Sequence, residues 1–166
     1  MSDATSSASA EATLTTIGWR EWVAFPAWGV PAVKVKIDTG ARTSALHAHD
    51  LDVVERDGVT TAVFTLLPWQ RSVRDGVEVA VPLVDERTVT SSSGTTSTRP
   101  VIVTTIDIAD DPHEIELTLT RRDDMGFKML LGRKAMENRY VVDPASSYLT
   151  GRPDLTTRRR NRGKAK

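Results

Sequence analysis

A chain of 166 residues is long enough for one domain with a hydrophobic core of its own, and the absence of cysteine excludes a disulfide framework and a thiolate metal centre. Hydrophobic residues at 39% and charged residues at 27% describe a globular composition, and no apolar run has the length needed to cross a bilayer. Net charge is zero but uneven: residues 151–166 carry seven Arg or Lys and one Asp, +6, which leaves −6 on residues 1–150.

Residues 1–13, "MSDATSSASAEAT", offer almost nothing to bury and are expected to be a disordered segment. They have neither a basic stretch nor an apolar one, so a secretory leader is not expected and the simplest location is cytoplasmic. Period-two alternation then takes over. "WREWVAF" (19–25) predicts a strand ending at Pro26, and "AVKVKID" (32–38) a second, with Val33, Val35 and Ile37 on one face and Lys34 and Lys36 on the other. Short strands follow at 43–48 and 51–56. Asp57-Gly58 predicts a hairpin turn into 59–67, and Asp75-Gly76 a turn into 77–84, where Pro82 points to a sheet edge. Residues 87–109 read as a long polar hairpin around Gly94. "HEIELTLTR" (113–121) alternates again, "RKAMEN" (133–138) predicts a short helix after the apolar "MLLG", and "RYVVD" (139–143) a last strand. Mostly strand with frequent turns, the chain is expected to form a small barrel or sandwich. The domain is expected over 14–151, with 152–166 a disordered basic tail. That tail has no aromatic residue to stack on bases, which speaks against specific nucleic-acid recognition. The four Trp are read as packing residues.

Asp38-Thr39-Gly40 stands at the end of a well-patterned strand. Gly permits a tight turn there, and a carboxylate held on a strand end rather than a long loop suits acid–base chemistry. A lone D-T-G is also an ordinary surface turn. Some ninety positions later, Leu130-Leu131-Gly132-Arg133 leads into the helix. The pairing of Ile37-Asp38-Thr39-Gly40-Ala41 with that segment resembles the retropepsin-like aspartic peptidases. "GWREWVAFP", "KVKIDTGARTSALHA", "SSSGTTSTRPVI", "IELTLTRRDDMGFKMLLGRKAM" and "VVDP", in that order over about residues 15–151, narrow the resemblance. They are similar to a bacterial family labelled ATP-dependent zinc proteases, also described as atypical retropepsins and similar to proteins encoded beside ATP-grasp glutamate ligases.

The resemblance implies a mainly β fold, a small closed barrel of the acid-protease type with one short C-terminal helix. It implies a flap hairpin and a later strand whose Gly passes close beside the Asp38 loop. It also implies a peptidase in which Asp38, with Thr39 and Gly40, activates water, as a homodimer because each chain has one D-T-G, and with no cofactor. The zinc and ATP of the label find no motif: there is neither H-E-x-x-H nor a phosphate-binding G-x-x-x-x-G-K-[ST] loop. His47 is a second candidate base beside Asp38. Arg42, Arg99, Arg122 and Arg133, with Ser92 and Ser93 of the hairpin tip, are candidate substrate-binding groups. If the arginines share a cleft, the substrate is acidic, such as a glutamate-rich peptide, with a functional link to the ligase. The alternatives are a non-catalytic peptide-binding module of the same fold and a metal-dependent hydrolase using His47 and His49, completed by Asp50 or His113.

Overall fold

The computed structural model describes residues 13–90, 93–121 and 126–163. Twelve strands run in chain order: β1 (Thr15–Gly18), β2 (Arg20–Phe25), β3 (Val30–Ile37), β4 (Ser44–His47), β5 (His49–Arg56), β6 (Val59–Leu66), β7 (Val77–Pro82), β8 (Asp85–Thr90), β9 (Thr96–Ile108), β10 (Asp111–Thr120), β11 (Met129–Leu131) and β12 (Tyr140–Asp143). Helix α1 covers Arg133–Met136 and α2 covers Leu155–Asn161.

The expected mainly β architecture is present, and its barrel can be traced strand by strand. β10 pairs with β4, β4 with β11, β11 with β3, β3 with β2, β2 with β9, and β9 returns to β10. The ring is not a strict barrel, because β2 and β9 meet at Ala24 and Asp107 alone. Alternation places Val33, Val35, Ile37, Leu46, Leu117, Leu119, Met129 and Leu131 inside, each no more than 7% exposed. Burial of such side chains stabilises the fold by roughly 1.5–3 kcal/mol each.

Three pieces lie outside the ring. β5, β6 and β7 form an antiparallel sheet with β7 at its edge, as Pro82 requires. Trp28 couples this sheet to the ring, stacking on Phe25 at 5.0 Å and meeting Phe64 edge-on at 5.9 Å. The Asp57-Gly58 turn has both residues at positive φ, the geometry that joins β5 to β6 tightly. β8 extends β9 as a protruding hairpin around Gly94. β1 pairs in parallel with β12, Thr15 opposite Tyr140, and closes the two ends of the domain on each other.

The buried carboxylate of Glu21 fixes that closure. It accepts hydrogen bonds from the backbone N–H of Gly18, Leu149 and Thr150 and from the Thr150 hydroxyl, at 2.7–3.2 Å. A fully buried carboxylate is tolerated only with such a set of donors.

The C-terminal stretch differs from the expected disordered tail. Asp154 caps α2 by accepting from Thr157 N–H at 2.7 Å, and Arg158, Arg159 and Arg160 occupy its last turn, where cations suit the helix dipole. Asn161, 3% exposed, accepts from Gln70 N–H and donates its amide to the Gln70 side chain. These two contacts across 91 residues order a segment that has no apolar pattern to announce it. Nearly all of the expected N-terminal disordered segment lies outside the described residues.

Candidate active site

β3 carries Asp38 out of the core, and β11 runs parallel beside it with Leu131 opposite Ile37. The Asp38 N–H donates to the Leu131 carbonyl at 2.9 Å, and the Ala41 N–H donates to the Asp38 carbonyl at 3.3 Å, which folds residues 38–41 into a tight turn. Within it the Gly40 N–H donates to Asp38 Oδ1 at 3.0 Å. Oδ2 has no hydrogen-bond partner among the described residues, and the side chain is half-buried. One oxygen is therefore oriented by the backbone and the other faces outward.

The second half of the site clasps the first. Gly132 lies so close to Thr43 that a Cβ there would fall on the Thr43 carbonyl. Only glycine allows the two backbones to approach this far. The Gly132 N–H donates to Ser44 Oγ at 3.0 Å. At the start of α1, the Arg133 and Lys134 N–H groups donate to the carbonyls of Ala41 and Arg42 at 2.8 and 3.0 Å. The Arg133 guanidinium then donates to the Thr39 carbonyl at 3.0 Å. Residues 38–44 are thus held along one side by 131–134, through four backbone donors or acceptors and one side-chain cation. This is the close approach of strand and loop expected from the paired motifs.

The structure gathers Asp38, Thr39, Gly40, Arg42 and Arg133 into this crossing. Arg42 is exposed and forms no ion pair among the described residues. Thr39 contributes its carbonyl rather than its hydroxyl. His47 is not brought to Asp38. β4 runs antiparallel to β11, with Leu46 opposite Met129, and Met129 stands opposite Val35 on β3. His47 is therefore about four residues back along β3 from Asp38, roughly 13 Å at the usual strand rise. Nor does His113 meet His47. Thr120 is the residue opposite His47, so His113 lies seven residues away along β10, roughly 23 Å. Both His113 ring nitrogens also sit against carbonyls, of Asp111 at 2.9 Å and Ala135 at 3.3 Å. His49 is instead paired with Asp50 at 3.4 Å. Among the described residues no three His, Asp or Glu converge as a metal site would require.

Arg99 stands apart from the crossing, on β9 opposite Arg87. It lines a groove of about 370 Å³ between the β8–β9 hairpin and the ends of β5 and β10, together with Ser97, Glu86 and Arg121. Arg121 was missed by the sequence reading, although it sits at the end of a recognised strand. Its guanidinium donates to the Leu51 carbonyl at 2.6 Å. Ser93 is exposed beside Gly94 at the hairpin tip. Ser92 and Arg122 lie outside the described residues.

The chain resembles known proteins in fold and sequence. A solved structure of a Legionella pneumophila protein of unknown function superposes with a TM-score of 0.67 at 25% identity, over 83% of this chain and 99% of that one. Two proteins named probable alpha-L-glutamate ligase, from Shewanella pealeana and Shewanella halifaxensis, are 45% and 44% identical over 135 residues, 81% of this chain. The chain spans only 30% of the length of those relatives. The family model for the RimB-like, retropepsin-like aspartic endopeptidases matches residues 16–153, so it takes in the whole crossing from Asp38 to Arg133, and the chain belongs to that family.

Proposed function

We propose that this chain hydrolyses peptide bonds with water activated by Asp38, acting on acidic, glutamate-rich peptide segments. The observation that carries the proposal is the Asp38 turn: Oδ1 oriented by Gly40 N–H, Oδ2 open, and the whole turn clasped by Leu131, Gly132 and Arg133. One chain supplies one such carboxylate, so the reaction uses Asp38 from each of two copies. Two adjacent carboxylates share one proton, because both cannot ionise cheaply. The ionised one takes a proton from water as its oxygen attacks the carbonyl carbon, and the protonated one donates to the carbonyl oxygen. Collapse of the resulting gem-diol breaks the C–N bond and returns a proton to the leaving nitrogen. The exposed cations Arg42 and Arg133 flank the turn and suit a substrate carrying carboxylates. The relatives named as glutamate ligases support the same substrate class and a functional link to an ATP-grasp ligase.

Incubating the purified chain with an oligoglutamate-tailed peptide and reading the products by mass spectrometry tests this. Asp38→Asn is expected to lower cleavage by about 100-fold or more, with an unchanged circular dichroism spectrum and with wild-type cleavage insensitive to a chelator. Full cleavage by the variant would refute the role of Asp38, and loss of wild-type cleavage with chelator would favour metal hydrolysis. The second reading, a peptide-binding module, rests on the single D-T-G per chain: a strictly monomeric protein that binds the peptide and never cleaves it would establish it.

A further inference from the structure

On the outer face of β2 and β3, on the opposite side of those strands from the core, cations gather on aromatic rings. The Arg20 guanidinium carbon lies 4.6 Å from the Trp19 ring centre and 4.9 Å from that of Tyr148. Lys34 Nζ lies 5.6 Å from Trp22 and 5.3 Å from Tyr148, and Arg152 lies 4.8 Å from Tyr148. Helix α2 adds Arg158 and Arg162, and these close a small cleft of about 40 Å³ with Trp22, Lys34, Tyr148 and Arg152. None of the five cations Arg20, Lys34, Arg152, Arg158 and Arg162 forms an ion pair among the described residues. The nearby carboxylate of Asp154 is committed to capping α2. Arg158 Nε is shut off from solvent without any hydrogen-bond acceptor, an arrangement that costs free energy unless an acceptor is supplied.

We propose that this cleft is a second anion site, which binds a carboxylate of an acidic peptide segment at a distance from Asp38. The size and the rings choose the occupant. A cleft this small admits a carboxylate or a phosphate group and not a base. The faces of Trp19, Trp22 and Tyr148 already carry the protein's own cations, which leaves them poorly placed to stack nucleobases. Arginine forks pair bidentately with carboxylates, and four neighbouring cations raise the local potential. Lys34 stands four residues before Asp38 on β3, roughly 13 Å, so one extended acidic segment can reach both sites. This reach, and the choice of an acidic peptide over a phosphate as occupant, rest on the acidic-peptide reading of the Asp38 turn. Arg158 on α2 and Arg162 just past its end lie beyond the region the family model matches, residues 16–153.

The test uses the full chain carrying Asp38→Asn, so that peptide persists, and measures binding of fluorescent decaglutamate, triglutamate and decauridylate at low salt. Arg152→Glu with Arg162→Glu, both at exposed positions, is expected to weaken decaglutamate at least tenfold. Arg158→Gln is expected to weaken it several-fold, with the circular dichroism spectrum unchanged in each. Decaglutamate affinity within twofold of the parent would overturn the proposal. So would decauridylate binding tighter than decaglutamate and lost in the same variants, which would make the cleft a phosphate site for nucleic acid. Because binding is read in the Asp38→Asn chain, failure here is separate from failure of the cleavage reading.

Discussion

The Asp38 crossing and the β8–β9 hairpin both present polar residues at the ends of strands, and they are held by different forces. The crossing lies on buried strands, with Ile37 and Leu131 inside and five hydrogen bonds binding 38–44 to 131–134. In the hairpin no residue of β8 is buried and β9 is exposed through Thr98, and a cross-strand charge cluster ties its base: Arg87 to Glu116 at 2.6 Å and to Asp85 at 3.5 Å. Apolar burial and backbone bonds fix a geometry, whereas exposed ladders and ion pairs set a preference that costs little to change. The firmly held region of the molecule therefore carries the carboxylate, and the exposed hairpin carries Ser93, Ser97 and Arg99.

The comparison breaks first at Gly132. Gly132→Ala puts a methyl group on the Thr43 carbonyl, a backbone group that cannot rotate away. We expect a loss of about 3 kcal/mol, at the upper end for overpacking, measured by urea unfolding, with cleavage falling along with it. A variant within about 0.5 kcal/mol of wild type would mean that the crossing is as compliant as the hairpin.

An intermediate effect is expected where β10 and β12 meet below the crossing. Burial works to raise the Asp111 pKa, but hydrogen bonds from Arg139 and Tyr140 outweigh it and hold the carboxyl below its ordinary value of 3.8. Burial also pushes the Tyr140 hydroxyl up, with its hydrogen bond to Asp111 adding to the shift. With the folded-state pKa of Asp111 depressed, its contribution is present above the unfolded value and is lost as pH falls through the folded one. Arg139→Gln should therefore lower the unfolding free energy at neutral pH slightly, by under about 1 kcal/mol for so exposed a pair, as read by urea unfolding. It should also remove part of the additional loss that wild type shows as pH falls below the ordinary carboxyl value of 3.8. Identical acid profiles would detach Asp111 from Arg139.

The smallest effect belongs to the hairpin. Arg87→Ala should cost no more than about 0.5 kcal/mol, and that difference should vanish in high salt. A larger cost would show that the hairpin is as firmly set as the crossing.

Strands β2 to β10 were legible because each carries its own alternation or turn, and the Asp38 and Gly132 motifs because their residue types have few substitutes. β1 was not, since "TTIG" is four residues whose partner β12 lies some 125 positions away, and parallel pairing over that span leaves no local trace. α2 escaped for a similar reason: Asn161 and Gln70 recognise each other across the fold, and neither residue type signals it. Glu21 looked like any polar position in an alternating strand, yet it is fully buried. His47 and His49 are two residues apart in sequence but belong to β4 and β5, in different sheets, and only the register of β4 against β11 and β3 shows how far His47 stands from Asp38.

Glu21 also sets the order in which the molecule can be completed. Three of its four donors come from Leu149 and Thr150, 128 and 129 residues downstream. During synthesis that carboxylate must stay in water until residues 149 and 150 have emerged, so β1 and β2 cannot seat in their final place beforehand. Truncation before residue 149 would not merely trim an end: it would strand a charge in the interior and keep an incomplete copy from maturing.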